Sequence, residues 1–180
     1  QNNDAVLPLE SNQLAKITVL GPLANDPYEQ LGTWIFDGEP ERSVTLLQGL
    51  KNLLSESCEI AFEPVFASSR DHSEQRFERA FEAVNSAQAV VLCAGEEAIL
   101  SGEAHCRAEI SLPGAQQAFI DQLSPRLKAA GIPLILVIMA GRPLTLSRVV
   151  DKVDAILYAW HPGTMGGQAI ADLLLAERIP

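Results

Sequence analysis

The chain has 180 residues, of which 47% are hydrophobic and 20% are charged, a balance typical of one globular domain with a substantial core. Its formal net charge of −10 makes the average surface repel phosphate backbones and anionic lipid headgroups, so we expect neither a nucleic-acid partner nor a membrane partner. No run approaches the roughly 20 apolar residues that a membrane-spanning helix needs. The three cysteines lack the short paired spacings of zinc sites, and the sequence predicts no metal site.

Apolar runs of strand length recur along the chain, and most of them end at glycine or proline. Runs that are apolar on both faces are typical of buried parallel strands. The predicted strands are residues 16–20, 58–64, 89–94, 133–140 and 154–160. The run at 58–64 alternates more between polar and apolar residues, which favours a place nearer the edge of the sheet.

Segments with helical periodicity lie between these runs. The predicted helices are 43–54 with Ser43 as N-cap, one after a capping box at Asp71 and Glu74, one opened by Pro113 with Phe119, Ile120 and Leu123 buried, and 164–176. The alternation of strands and helices predicts a single domain over residues 1–180. We expect a doubly wound, mostly parallel sheet with helices on both faces, a three-layer α/β/α sandwich.

The loop after the third strand is the most unusual segment, because ligands bind beyond the carboxyl ends of such strands. It spans residues 95–112 and holds four glutamates, at positions 96, 97, 103 and 109. A glutamate here acts as a proton donor if a neighbouring domain covers it and raises its pKa by desolvation. Composition alone favours a solvated acidic loop, and both interpretations stay open.

Other candidate residues lie in neighbouring loops. Trp34, after the first strand, either stacks on a sugar ring or packs onto its own domain. Arg142, after the fourth strand, is placed to pair with a carboxylate. The glycine-rich segment at 161–169 lacks the spacing of a phosphate-binding loop, which favours close packing between strand and helix. His105 and Cys106 are adjacent, so they do not suit a nucleophile and base pair.

An ordered series of motifs covers the whole chain. The segments are NDAVLPL at 3–9, GPLA at 21–24, LGTW at 31–34, SVTLLQGLK at 43–51, GE at 95–96, SGEAHCR at 101–107, LPGAQ at 112–116, GRPL at 141–144, and AWHPG at 159–163 followed by Gly166 and Gly167. This series resembles the second, α/β domain of family 3 glycoside hydrolases of the β-glucosidase type.

The resemblance implies a retaining β-glycosidase in which two domains of one polypeptide share the active site. The attacking aspartate would lie on a preceding (β/α)8-type domain, which is absent from this chain, so we expect the isolated chain to be inactive. By motif position the acid/base is Glu103, Trp34 flanks the sugar site, and Arg107 steadies the loop without touching substrate. The implied substrate is a β-linked glycoside, and the chemistry requires no metal or organic cofactor.

The resemblance also bears on the context of the chain. Residues 1–10 lack the basic start and apolar stretch of a signal peptide, and we expect the chain to begin and end within a longer polypeptide. The family favours a periplasmic or secreted location. The alternative function is a non-catalytic α/β domain that binds a carbohydrate or a partner protein. A nucleotide-binding regulator is disfavoured, because Pro22 stands where a phosphate loop needs backbone N–H donors.

Overall fold

Parallel strands form a sheet in the computed structural model, which describes residues 1–175. Within this part of the chain the strands are β1 (Lys16–Leu20), β2 (Glu59–Glu63), β3 (Ala89–Gly95), β4 (Leu134–Met139) and β5 (Ala155–Tyr158), in the spatial order β2-β1-β3-β4-β5. The five strand predictions are confirmed, including the edge position of the run at 58–64. The order reverses next to β1, so the crossovers place helices on both faces of the sheet.

Two apolar clusters lie on opposite faces of the sheet and confirm the three-layer sandwich. Side chains alternate along β3, with Val90 and Leu92 in one cluster and Val91 and Cys93 in the other. The first cluster packs against helices α2 (Phe77–Ala83) and α3 (Gln116–Ala130), and the second packs against α1 (Leu46–Leu53) and α4 (Gly166–Leu174). The central strands β3 and β4 are therefore buried on both faces, which explains their unbroken apolar sequences.

The predicted caps of the first two helices are wrong. Thr45, not Ser43, caps α1, because its Oγ1 accepts the backbone N–H of Gln48 at 3.2 Å. The capping box fails because the Asp71 carboxylate instead accepts the N–H groups of Ala67 and Ser73 in a preceding turn. These hydrogen bonds lower the pKa of Asp71. Helix α2 then begins only at Phe77, without a side-chain cap.

Helix α3 begins at Gln116, not at Pro113, although its predicted buried residues are confirmed. The turn through Gly114, at φ +60°, separates the proline from the helix. The buried Gln116 amide accepts the N–H of Gly95 at 2.8 Å and donates to the carbonyls of Gly95 and Ser69 at 2.9 and 2.8 Å. The start of α3 is thereby fixed to the end of β3, where the acidic loop begins.

Helices α1 and α4 approach so closely that only glycine fits between their backbones. A Cβ at Gly167 would overlap the carbonyl of Thr45, and a Cβ at Gly49 would overlap the carbonyl of Gly167. Gly167 of the 161–169 segment thus serves close packing, but between two helices rather than between strand and helix as predicted, and a Cβ at Gly163 would meet open space. The predicted end of the last helix, residue 176, lies outside the described residues.

Further features of residues 1–175 bear on function. Cys58 and Cys93 are buried and Cys106 is exposed, and all three are free thiols. Burial raises the pKa of the Cys93 thiol far above its usual range. Within the described range, no helix combines the length and apolar character needed to cross a bilayer. That range also contains no cluster of His, Cys, Asp and Glu side chains suited to a metal ion.

The substitution Gly167→Ala tests the close contact of α1 and α4. In an open helix the change would stabilise by about 1 kcal/mol through helix propensity. Here we expect a loss of at least about 2 kcal/mol in the free energy of unfolding, because the methyl group has no space beside Thr45. Urea unfolding of the 180-residue chain measures the change. A stabilised variant would contradict the packing.

Candidate functional site

Three loops meet at the carboxyl edge of the sheet, those after β1, β3 and β5. The Oγ of Ser101 lies 2.9 Å from the Oγ1 of Thr33 and 3.3 Å from the Nε2 of His161. Gly32 packs on the His161 ring, where a Cβ would lie 2.9 Å from the ring carbon Cγ. These contacts bring the loop of Trp34 beside the loop that carries the glutamates.

Two backbone features fix the direction in which the acidic loop leaves β3: the positive φ of Gly95 and a hydrogen bond from Glu96. Gly95 has φ +135°, and a Cβ there would overlap the carbonyl oxygen of Met139. The next residue, Glu96, donates its N–H to that same oxygen at 2.8 Å. The chain therefore turns sharply over β4 and directs the Glu96 side chain into the domain, where the residue is only 1% exposed.

The buried Glu96 carboxylate binds two arginines. Its Oε1 accepts from Nη1 of Arg107, and its Oε2 accepts from Nε of Arg142 at 3.1 Å. The prediction that Arg142 pairs with a carboxylate is therefore confirmed, and that carboxylate is Glu96. Burying one carboxylate is costly unless opposite charge and hydrogen bonds compensate, and here both oxygens are paired.

Glu97 is also engaged, but with a different part of the chain. Its Oε2 accepts from Nε of Arg70 at 2.9 Å and from Oγ of Ser69 at 2.8 Å. Burial by itself would raise the pKa of Glu97, but these hydrogen bonds and the Arg70 charge outweigh it and lower the pKa. Glu29 approaches the same loop, accepting the N–H of Ala98, and burial raises its pKa.

Glu103 lies at the tip of a tight turn and is exposed. His105 donates its N–H to the carbonyl of Gly102 at 3.3 Å, and the residues on both sides of Glu103 have positive φ, +107° at Gly102 and +64° at Ala104. A positive φ is sterically unfavourable for Ala104, because alanine carries a Cβ. Strained backbone of this kind is often found at functional sites. The Glu103 carboxylate makes no hydrogen bond or ion pair with residues 1–175.

The other candidates on this loop have structural neighbours that limit their chemistry. Glu109 is exposed and lies with Arg148 around a shallow cavity near Thr145. Nδ1 of His105 lies 3.0 Å from the carbonyl oxygen of Ser101, and Cys106 is exposed beside it. Ser101 is buried between Thr33, His161 and the carbonyl of Ala98. Ser101 contacts the imidazole of His161, but Nδ1 of that ring has no hydrogen-bond partner within residues 1–175, so no third group orients it as a base.

Trp34 remains on the surface, with 63% of the residue exposed, so it does not pack down onto its own domain. Several other apolar side chains are exposed in the loops of this edge: Tyr28, Phe36, Ile99, Trp160 and Met165. We call these residues, with Trp34, the apolar rim. The sequence analysis singled out only Trp34 among them. The usable signal was that Tyr28, Phe36, Ile99 and Met165 lie in segments that follow predicted parallel strands, while Trp160 is the last residue of such a strand.

Trp160 and His161 follow β5 and complete the edge. Trp160 has φ +59°, unusual for a bulky residue, and its ring contacts Tyr158 at a centroid distance of 4.7 Å. Burial lowers the pKa of His161, while the nearby Glu96 charge opposes that shift. The imidazole thus favours its neutral form in the folded chain.

This edge carries the exposed Glu103 carboxylate, which has no partner among residues 1–175, together with the apolar rim and a loop bound to the sheet through Glu96. A single carboxylate at this edge can donate and accept a proton, whereas covalent chemistry at a sugar carbon needs a second group. The fold and this edge define a class of doubly wound α/β domains that bind at the carboxyl ends of their strands.

Comparison with known proteins gives the family. Residues 1–180 match the family model described as the glycosyl hydrolase family 3 C-terminal domain, and the chain belongs to this family. The resemblance inferred from the motifs is confirmed.

The relatives are glycosidases much longer than this chain. The chain is 32% identical to a periplasmic beta-glucosidase of Salmonella typhimurium and 28% identical to a beta-xylosidase of Formosa agariphila; both alignments cover 100% of the chain and 25% of the relative. It superposes with a TM-score of 0.82 on beta-glucosidase from Listeria innocua in complex with isofagomine, at 32% identity over 99% of this chain and 23% of that one. The chain thus spans about a quarter of these relatives.

The His161 environment predicts a measurable titration. Because its folded pKa lies below the ordinary value of 6.5, the folded chain binds fewer protons than the unfolded chain just below pH 6.5. His161 therefore stabilises the fold fully above pH 6.5, and this contribution is lost as the pH falls. We expect an NMR titration of the 180-residue chain to give a His161 midpoint below 6.5. A midpoint at or above that value would contradict the burial.

Proposed function

We propose that this chain is the second domain of a retaining β-glycosidase and that Glu103 is its acid/base. The supporting observation is the difference among the glutamates of the acidic loop. Glu96 and Glu97 form ion pairs with arginines, whereas Glu103 and Glu109 have no partner among residues 1–175. Of these two, Glu103 lies at the tip of the turn between Gly102 and Ala104, on the edge where ligands bind such folds, and it matches the acid/base position of the family motif. The family and its glycosidase members support the reaction class.

The proposed mechanism divides two carboxyl groups between two domains. An aspartate on a preceding (β/α)8-type domain of the same polypeptide attacks the anomeric carbon, and Glu103 protonates the departing glycosidic oxygen. This first step leaves the sugar joined to the aspartate as an ester. Glu103 then removes a proton from water, whose oxygen attacks the anomeric carbon, breaks the ester bond and releases the sugar and the aspartate carboxylate. This double displacement requires the two carboxyl groups about 5 to 5.5 Å apart and needs no cofactor. Since this chain supplies only the acid/base, we expect it to be inactive alone.

The exposure of Glu103 fits this division. In the isolated chain this side chain is exposed to solvent. In this proposal the preceding domain covers the edge and excludes water, so that the Glu103 carboxyl meets the departing glycosidic oxygen without competing solvent. Arg107 binds Glu96 and the carbonyl of Ser111, and in this proposal it steadies the loop without contacting substrate.

The apolar rim gives the second half of the proposal. Trp34 offers an indole face to the apolar C–H face of a β-linked sugar, and the other rim residues lie against the preceding domain. Exposed apolar groups in one region favour a contact surface over scattered solvated residues. A β-glucoside or β-xyloside is the proposed substrate, and a periplasmic or secreted location is proposed from the family.

Glu103→Ala in the full-length parent protein tests the assignment. We expect hydrolysis of the matching 4-nitrophenyl β-glycoside to fall by about 10²- to 10⁴-fold, the usual contribution of general acid/base catalysis. Added azide should restore part of the rate and yield a β-glycosyl azide, since a small anion replaces water without needing a base. Glu109→Ala, at the other glutamate of the loop without a partner among residues 1–175, should keep the wild-type rate.

Two results would argue against the assignment. Unchanged activity in Glu103→Ala would move the acid/base to another residue. A parent protein that binds β-glycosides without hydrolysing them would favour the alternative, a non-catalytic domain that binds a carbohydrate or a partner.

A further inference from the structure

We propose that Glu96 is a positioning residue, whose buried carboxylate fixes the turn carrying Glu103 by way of Arg142 and Arg107. This inference rests on the acid/base role proposed for Glu103. It gives a function to a buried charge that the proposed reaction does not itself use.

Arg142 connects Glu96 to both sides of the turn. Its Nε donates to Oε2 of Glu96 at 3.1 Å. Its Nη2 donates to the carbonyl oxygen of Leu100, before the turn, and to that of His105, after it, at 2.8 Å in the latter case. One guanidinium therefore holds the two ends of the segment at whose tip Glu103 lies.

Arg107 forms a second connection on the far side of the loop. Its Nη1 donates to Oε1 of Glu96, and its Nη2 donates to the carbonyl oxygen of Ser111 at 3.2 Å. Both oxygens of one carboxylate thus orient guanidinium groups that bind three backbone carbonyls between residues 100 and 111.

Glu96 is itself fixed to the sheet, which makes it a rigid reference for the loop. Its N–H donates to the carbonyl of Met139 at the end of β4, and the preceding Gly95 is bound through both backbone groups to Gln116. The position of the Glu103 turn is therefore set relative to strands β3 and β4 and not by the loop alone.

Neutralising Glu96 changes this network without removing its shape. In Glu96→Gln the amide keeps one acceptor oxygen, but its NH2 group faces a guanidinium, donor against donor. The side chains of Arg107 and Arg142 are 19% and 18% exposed, so each is drawn toward solvent when it loses a carboxylate partner. The turn then loses its fixed position, while the apolar clusters remain.

Such a displacement affects one chemical step selectively. Proton transfer requires the acid within hydrogen-bond reach of the leaving oxygen, and a shift of about 1 Å can cost about 100-fold. A leaving group that departs as a stable anion needs no proton and is insensitive to the shift. Dependence on the leaving group therefore separates mispositioning of Glu103 from a general loss of folded protein.

The test compares kcat/KM of the full-length parent protein for a 2,4-dinitrophenyl β-glycoside and a phenyl β-glycoside of the same sugar. In Glu96→Gln we expect a drop of about 10-fold or more for the phenyl substrate and less than about 3-fold for the dinitrophenyl one. Glu63→Gln is the matched control, because Glu63 is also buried and paired with an arginine, Arg79, but lies at the end of β2. Glu63→Gln should leave the ratio of kcat/KM for the phenyl substrate to kcat/KM for the dinitrophenyl substrate unchanged.

A second variant covers the case in which Glu96→Gln does not fold. Arg142→Lys keeps the charge opposite Glu96 but loses the planar guanidinium group that reaches the carbonyls of Leu100 and His105. It should therefore lower the ratio of kcat/KM for the phenyl substrate to kcat/KM for the dinitrophenyl substrate. The double variant Glu96→Gln with Glu103→Ala should show no further change in the ratio beyond Glu103→Ala alone, because the positioned acid is already gone.

Two results would overturn the proposal. Equal losses for both substrates in Glu96→Gln or Arg142→Lys would reduce the network to a structural role. A further drop in the ratio in the double variant would show that Glu96 acts without Glu103. If Glu103→Ala alone leaves the ratio unchanged, the acid/base assignment fails first, and that single variant identifies the failure.

Discussion

The carboxyl edge of this domain is organised by one buried charge, the carboxylate of Glu96. A long loop after a central strand must satisfy its backbone carbonyls without a regular ladder of hydrogen bonds. Here two arginines supply those donors, and Glu96 orients both guanidinium groups. The charge is costly to bury, yet its two oppositely charged partners make removal of any one member more costly still.

The sheet provides the fixed frame on which this network depends. Strands β3 and β4 are buried on both faces, and Gly95 and Met139 at their ends receive Glu96 in a defined backbone position. Helices α1 and α4 cover one face of the sheet and pack closely against each other, because Gly49 and Gly167 leave no space for a side chain between them. Core packing thus determines where the acidic loop begins, and the ion pairs determine where it goes.

Much of this architecture could be predicted from the sequence, because strands buried on both faces, such as β3 and β4, consist of unbroken runs of apolar residues. The helix starts were harder to predict. Ser43 and Thr45 are both hydroxyl residues ahead of α1, and only the backbone path decides which one reaches Gln48. Asp71 and Glu74 have the spacing of a capping box, but the Asp71 carboxylate instead accepts hydrogen bonds from Ala67 and Ser73 in a tighter turn.

The site was predictable in part, for a related reason. Composition gives four equivalent glutamates in one loop, and nothing local separates them. The partner of Glu96 that reaches both sides of the turn, Arg142, lies 46 positions away, so the distinction between buried and free glutamates arises only in three dimensions. The choice of Glu103 came from family motifs, and its exposed place at the tip of a turn agrees with that choice.

The central claim is that Glu103 faces a carboxylate of another domain across a bound sugar. A crystal structure of the full-length parent protein with an iminosugar inhibitor measures this directly. We predict that the Glu103 carboxyl lies about 5 to 5.5 Å from an aspartate of the preceding domain, with the inhibitor between them. A structure in which Glu103 lies away from the inhibitor, with another acid beside its anomeric position, would contradict the account.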